Sequence, residues 1–271
     1  MFNFLKKKTA PPKQEIIVNK PLTQEKKEVK PVVQKPKTYF EKSVEAAGNG
    51  NVLASAYVGV SYHYGIEVGE EKHPQGLEKN SELAVKYLTI AAKKGYLKSQ
   101  IDLGLLYLDA DSPVFDIDKA LKWITLTAKK GDAFSQYVIG HYYNTGDFLA
   151  QDNTKAYHWL LESASNGCES AMVELGKLYK EKTNEFLNHK DITDEHRRKA
   201  KECAFLAVKW FEKAAELGEE EAFIHTGICY FEGYGTEKNE EKALYYLNLA
   251  IDSGDEAAID FKNDHFSKEN L

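Results

Sequence analysis

The chain has 271 residues, 42% apolar and 29% charged, the balance of a water-soluble globular protein rather than a disordered or membrane-embedded one. Its formal charge of -6 is unevenly spread: residues 1–37 hold ten lysines and three glutamates, about +7, which leaves -13 on the other 234 residues. So acidic a body argues against nucleic acid along its surface, because phosphate neutralisation needs a face lined with Lys and Arg.

In chain order, residues 1–37 come first, with five of the seven prolines and few aromatics. Such a segment buries too little apolar surface to offset the entropy of ordering, so a disordered, extended basic tail is expected. Phe2, Phe4, Leu5 and Lys6–Lys8 suit it to a weak contact with an acidic partner or with membrane headgroups. The lysines are followed by Thr9-Ala-Pro-Pro rather than the apolar core of a secretory signal, and no apolar run has the length of a membrane span. Cys168, Cys203 and Cys229 form no spaced pairs, which suits a reducing compartment. A cytoplasmic location follows as the expectation.

From residue 38 the chain repeats itself. Gly104, Gly140 and Gly176 stand 36 residues apart, and Gly59 and Gly227 complete the set. Three residues after each glycine is a tyrosine (Tyr62, Tyr107, Tyr143, Tyr179, Tyr230), and five before it a small residue. A second ladder carries Ala84, Ala120, Ala156, Ala207 and Ala243, each followed three residues later by Tyr87, Trp123, Trp159, Trp210 or Tyr246. Gly95, Gly131, Gly167, Gly218 and Gly254 close these segments. Apolar residues at i, i+3 and i+7 mark one face of a helix. Glycine suits the left-handed position after its end, and Asn80, Asp116, Asp152 and Asn239 are fitted to cap its start. A fixed period of this size means stacked helical hairpins. The glycines inside the first helices imply close approach of a neighbouring helix whose large side chain fills the space. The three tryptophans, at one repeat position, read as core.

Two spacings depart from 36. Gly59 and Gly104 are 45 apart, which puts nine extra residues within 65–79. Gly176 and Gly227 are 51 apart, and the fifteen extra residues fall at 181–202, a charged stretch without Gly or Pro. The second insertion should lengthen both helices of its hairpin, with Thr193 capping the second, and should project into solvent. Tyr39–Ala47 reads as a lone helix closing the N-terminal end, and Asp255–Phe266 as one closing the other. The fold class is therefore all-α: a right-handed alpha-alpha superhelix (α-solenoid) of about five hairpins plus terminal capping helices, residues 38–271, with the first helix of each pair on the concave side.

Leu103-Gly104…Tyr107 with Lys119-Ala120…Trp123, and Leu175-Gly176…Tyr179 with Ala207…Trp210, resemble the Sel-one-like repeat (SLR) family, a relative of the tetratricopeptide repeats. Gly146 and Gly233 match a further glycine of that pattern, whereas Ala110 and Lys182 do not. The resemblance spans about residues 38–266. It implies an adaptor, since members serve in signalling, quality control and bacterial pathogenesis. A disulfide-rich branch linked to β-lactams pairs cysteines in each repeat, and this chain lacks those pairs.

Carried over from the tetratricopeptide pattern, concave positions would be Ala56, Val60, His63 and Tyr64; Ile101, Leu105 and Leu108; Phe134, Tyr137, His141 and Asn144; Val173, Lys177 and Lys180; and Ile224, Ile228 and Phe231. Much of this is apolar, which suits a partner-binding groove with Phe134, Tyr137, His141, Leu105 and Leu108 as anchors. The alternative is that the inner helices pack tightly and bury these side chains.

Chemistry finds little footing. No Ser-x-x-Lys, Gly-x-Ser-x-Gly, His-Glu-x-x-His, Cys-x-x-Cys, phosphate-cradling loop or EF-hand spacing occurs. His63 and His73 flank Glu67, Glu70 and Glu71, a weak candidate for a metal or a hydrolase, with nothing that fixes four ligands. His141 and His225 fall inside first helices and read as hydrogen-bonded or exposed. The expectation is a non-enzymatic protein-binding module without cofactor or metal. Its partner is another protein, and a basic bacterial toxin neutralised by an acidic immunity protein is the narrower alternative.

Overall fold

The computed structural model describes residues 37–66 and 76–266. Helix α1 (Tyr39–Gly48) stands alone at the N-terminal end. Five hairpins follow: α2 (Val52–Tyr64) with α3 (Ser81–Lys93), α4 (Leu97–Leu108) with α5 (Ile117–Ala128), α6 (Ala133–Thr145) with α7 (Asn153–Ser165), α8 (Glu169–Leu187) with α9 (Asp194–Glu216), and α10 (Glu220–Glu232) with α11 (Glu240–Asp252). Helix α12 (Glu256–Phe266) ends the array. Each helix packs on the next in chain order, so the described residues form an α-solenoid. Apart from an isolated antiparallel bridge between Ile66 and Leu77, the described residues contain no strand.

The ends of the helices are set by side chains legible in the sequence. Asn80, Asp116, Asp152 and Asn239 each accept a hydrogen bond from the backbone N–H three residues on, at 2.9 to 3.0 Å. At the far end, Gly131 takes φ +90, and its N–H reaches the Ala128 carbonyl at 3.0 Å while that of Asp132 reaches Thr127 at 3.2 Å. Only glycine adopts that left-handed turn without a Cβ penalty.

The glycines inside the first helices are explained by their neighbours. A Cβ on Gly104 would lie 2.8 Å from Cγ1 of Ile124, and one on Gly140 2.8 Å from Cγ of Leu160. Leu88, Phe211 and Leu247 fill the same place against Gly59, Gly176 and Gly227. These five large side chains are all fully buried and form the spine of the core. Trp123, Trp159 and Trp210, expected as core, are half-buried at its edge instead. Each precedes the spine residue by one position, about 100° around the helix, and so points past the glycine rather than at it.

Two further periodic devices hold the array, one between successive hairpins and one within a hairpin. Gln100 and Gln136, 36 apart and buried, donate Nε2–H to the Ala92 and Ala128 carbonyls at 2.8 and 3.1 Å. Their Oε1 atoms accept from Lys130 and Asn166 at 2.8 Å, which satisfies both ends of each buried amide. Lys119, Lys155 and Lys242 each hold an ammonium over the ring of Tyr107, Tyr143 or Tyr230, 5.3, 5.1 and 4.6 Å from its centre.

The second insertion lengthens both helices of its hairpin, α8 to 19 residues and α9 to 23. Thr193 caps α9: its hydroxyl accepts from the His196 N–H at 3.2 Å, and His196 Nδ1 accepts from the Thr193 N–H at 3.3 Å. The overhang is mostly exposed, including Leu187 and Ile192. The first insertion falls largely on residues 67–75, outside the described residues.

Candidate functional site

The first helices of successive hairpins meet one another directly, α2 with α4 and α6 with α8. Side-chain bridges also run between them, from His141 to Glu174 and from Lys177 to Glu221. They form an inner row, and its exposed side is the candidate site.

The structure brings the central predicted residues together. Ile101, Leu105 and Leu108 lie half-buried on α4, and Tyr137, His141 and Asn144 half-buried on α6. Phe134, in the first turn of α6, is 46% exposed, and its ring centre is 6.1 Å from that of Tyr137. Leu108 and Tyr137 pack on the same core cluster. At the N-terminal end Tyr64 is 57% exposed and Leu53 66%. The inner helices thus cover Val173 completely but leave an aromatic and aliphatic strip open across α2, α4 and α6.

The three predicted residues on α10 are placed differently. Phe231 is enclosed by Phe261, His265 and Phe266 of α12, with ring centres 5.0 to 5.4 Å away. Ile224 packs into the cluster that holds Leu247 and Ala258. Ile228 stays half-buried between these two. Helix α12 occupies the position of a next inner helix and covers this end of the row, a consequence of the capping role its sequence suggests.

Sequence reasoning missed Glu174. His141 Nδ1 lies 2.5 Å from Glu174 Oε1, and the Tyr137 hydroxyl donates to the same oxygen at 3.4 Å. A carboxylate only accepts, so the imidazole nitrogen carries the hydrogen. The other oxygen, Oε2, is buried without a hydrogen-bond partner. Burial, with the Glu174 carboxylate beside it, pushes the Tyr137 phenol well above its ordinary range.

Glu174 stands two residues before its glycine, and so do Asp102 and His225. Three ionisable groups in one repeat column were the available signal. Asp102 is buried, its Oδ2 has no hydrogen-bond partner, and burial raises its pKa. His225 stacks on Phe211 with ring centres 4.8 Å apart, and burial, helped by Lys177, lowers its pKa to about 4.

Of the weak metal or hydrolase candidate, Glu67, Glu70, Glu71 and His73 lie outside the described residues. His63 is on α2, edge-on to Tyr64 with ring centres 4.3 Å apart. Among the described residues no group of His, Cys, Asp and Glu side chains is placed to hold a metal ion. Among the same residues no helix is long and apolar enough to cross a membrane.

A family model of the Sel1 repeat matches residues 52–96, 97–132, 133–168, 205–219 and 224–255. The chain belongs to the Sel1 repeat family. Its first three matched segments span α2–α3, α4–α5 and α6–α7, and the matches lapse over residues 169–204, where α8 and the start of α9 depart from the Sel1 repeat length. A Sel1 repeat protein from Oxalobacter formigenes shares the fold, with 24% identity and a TM-score of 0.64 over 83% of this chain and 58% of that one. This Sel1 chain therefore spans less than two thirds of that protein. A protective antigen of uropathogenic Escherichia coli with an SLR fold aligns at 20% identity and TM-score 0.49 over 82% of this chain and 50% of that one. An immunity protein from Pseudomonas aeruginosa aligns at 20% identity and 0.43 over 80% and 70%. No curated protein sequence matches the chain. Sel1 repeats generally serve as protein-interaction modules and typically as non-catalytic scaffolds.

Proposed function

We propose that this Sel1 repeat chain binds a partner protein on its inner row, with Leu105, Leu108, Phe134, Tyr137 and His141 as the central contacts. The observation that carries the reading is the half-buried aliphatic and aromatic set on α4 and α6, with Phe134 46% exposed on the inner row beside Tyr137. An exposed aromatic beside half-buried aliphatics offers a large area to desolvate at low entropic cost. Ile224 and Phe231 contribute by seating α12 rather than by touching the partner.

The finer reading is a basic partner, such as a toxin held by an immunity protein. The charge of -13 on residues 38–271 supports it, because a strongly acidic body steers and orients a cationic partner. Affinity capture with the full chain tests the site. Phe134→Asp and Tyr137→Ala should each lose the partner that wild type retains, while Tyr245→Asp on the outer helix α11 should keep it. Retention by both inner variants, with unchanged melting temperatures, would count against the inner row.

A further inference from the structure

We propose that the inner wall spanning α6, α8 and α10 is built for an arginine-bearing basic segment of the partner. This rests on the reading that the partner sits on the inner row, and it adds the chemistry of what is held there.

Phe134, Ser170 and Glu221 each stand six residues before their repeat's glycine, so the first turns of α6, α8 and α10 set an aromatic ring, a hydroxyl and a carboxylate side by side. The aromatic side is the exposed Phe134 with Tyr137 behind it. The acidic side is Glu174 on α8, joined to Tyr137 and His141, and Glu219 and Glu221 at the start of α10. The two sides are continuous: Ser170 donates to Glu219 at 3.4 Å, and Lys177 of α8 pairs with Glu221.

The carboxylates outnumber the bases that face them. Lys177 pairs with Glu221 and His141 with Glu174, which leaves Glu219, bonded by the Ser170 hydroxyl, outside any ion pair. Burial, together with Glu221, Glu169 and Glu220, raises the Glu219 carboxyl pKa, as expected where like charges crowd. This leaves the Glu219 charge without a cationic partner on the same wall that carries the exposed Phe134. Guanidinium answers both features. It stacks on an aromatic face, bonds carboxylates through a planar fork, and is more weakly hydrated than an ammonium. An anionic or purely apolar segment would meet repulsion or unpaired carboxylates on the same surface.

The test uses three labelled nonapeptides, (Leu-Arg-Arg)3, (Leu-Lys-Lys)3 and (Leu-Glu-Glu)3, titrated with the full chain by fluorescence anisotropy. The arginine peptide should bind saturably, about threefold or more tighter than the lysine one, and the glutamate peptide should not bind. Glu219→Gln combined with Glu221→Gln should weaken it about tenfold or more, and Phe134→Ala about threefold or more. The control pair Glu240→Gln with Glu241→Gln, on the outer helix α11, should change affinity by less than about twofold. Equal losses from both glutamate pairs would reduce the effect to overall charge and overturn the proposal. So would equal affinity for arginine and lysine, or no saturable binding. Should those results come with partner capture that Phe134→Asp still abolishes, the inner-row reading stands and this inference alone falls.

Discussion

Gly140 and Leu160 carry the packing argument at the scale of single residues. A methyl at Gly140 would meet Leu160 at 2.8 Å, with the Leu160 backbone nitrogen at 3.1 Å, so the clash cannot be relieved by a side-chain turn alone. Gly140→Ala should therefore lower stability by about 1–3 kcal/mol, even though alanine favours a helix by about 1 kcal/mol. Gly48→Ala, where nothing lies within 4 Å, should be neutral or slightly stabilising. Urea unfolding midpoints separate the two. His225 offers a second test. Its folded pKa near 4 lies below the ordinary 6.5, so the unfolded chain takes up the extra proton between these values. The stability tied to the neutral imidazole is complete above pH 6.5 and is lost as the pH falls through 4, about 3 kcal/mol in all. Asp102 and Glu219, with raised pKa values, act in the opposite direction, so the comparison must be with His225→Gln. Wild type should lose stability relative to that variant between pH 7 and 4, and parallel melting curves would contradict the assignment. That a large side chain fills the space over each glycine was legible in the sequence. Which one was not, because the tryptophans are the more conspicuous neighbours and only the geometry separates positions one residue apart.

Among the elements, caps and closing glycines agree with the apolar stripes, and that agreement made helix boundaries readable. Asp152→Ala removes the bond to the Lys155 N–H and should cost about 1 kcal/mol. Hydrogen exchange should quicken in the first turn of α7 and leave α5 unchanged. The overhang of α8 and α9 was legible as length, since a charged stretch without Gly or Pro continues a helix. Its consequence for packing was not. Where Lys119, Lys155 and Lys242 cover a tyrosine, the equivalent position holds Leu206, and the Tyr179 hydroxyl pairs with that of Tyr157 at 2.8 Å instead. The resulting recess of about 420 Å³ includes Tyr157, Tyr179, Phe186 and Leu206 in its lining. The glutamine ladder also escaped the sequence reading. Gln100 and Gln136 keep the period, but Met172 and Phe223 break it at the next two repeats.

Across the whole array of described residues, each hairpin touches chiefly its neighbours, so disturbance should stay local. Deleting residues 256–271 removes α12 from Phe231 and Ile224. Exchange should then accelerate in α10 and α11 while α2 to α5 keep their protection, and uniform acceleration would contradict a stack of near-independent units. The period alone revealed this architecture. The inner strip was legible only in part, because a residue's repeat position says which way it points and not whether a terminal helix lies over it. Reception of the partner on the inner row is the proposal on which the rest depends. Site-specific photo-crosslinking in the native host tests it most directly, with a benzophenone amino acid at position 134 on the inside or position 245 on the outside. A discrete protein adduct should form from position 134 and be lost when Leu105→Asp is added, with none from position 245. An adduct from position 245 and none from 134 would contradict it.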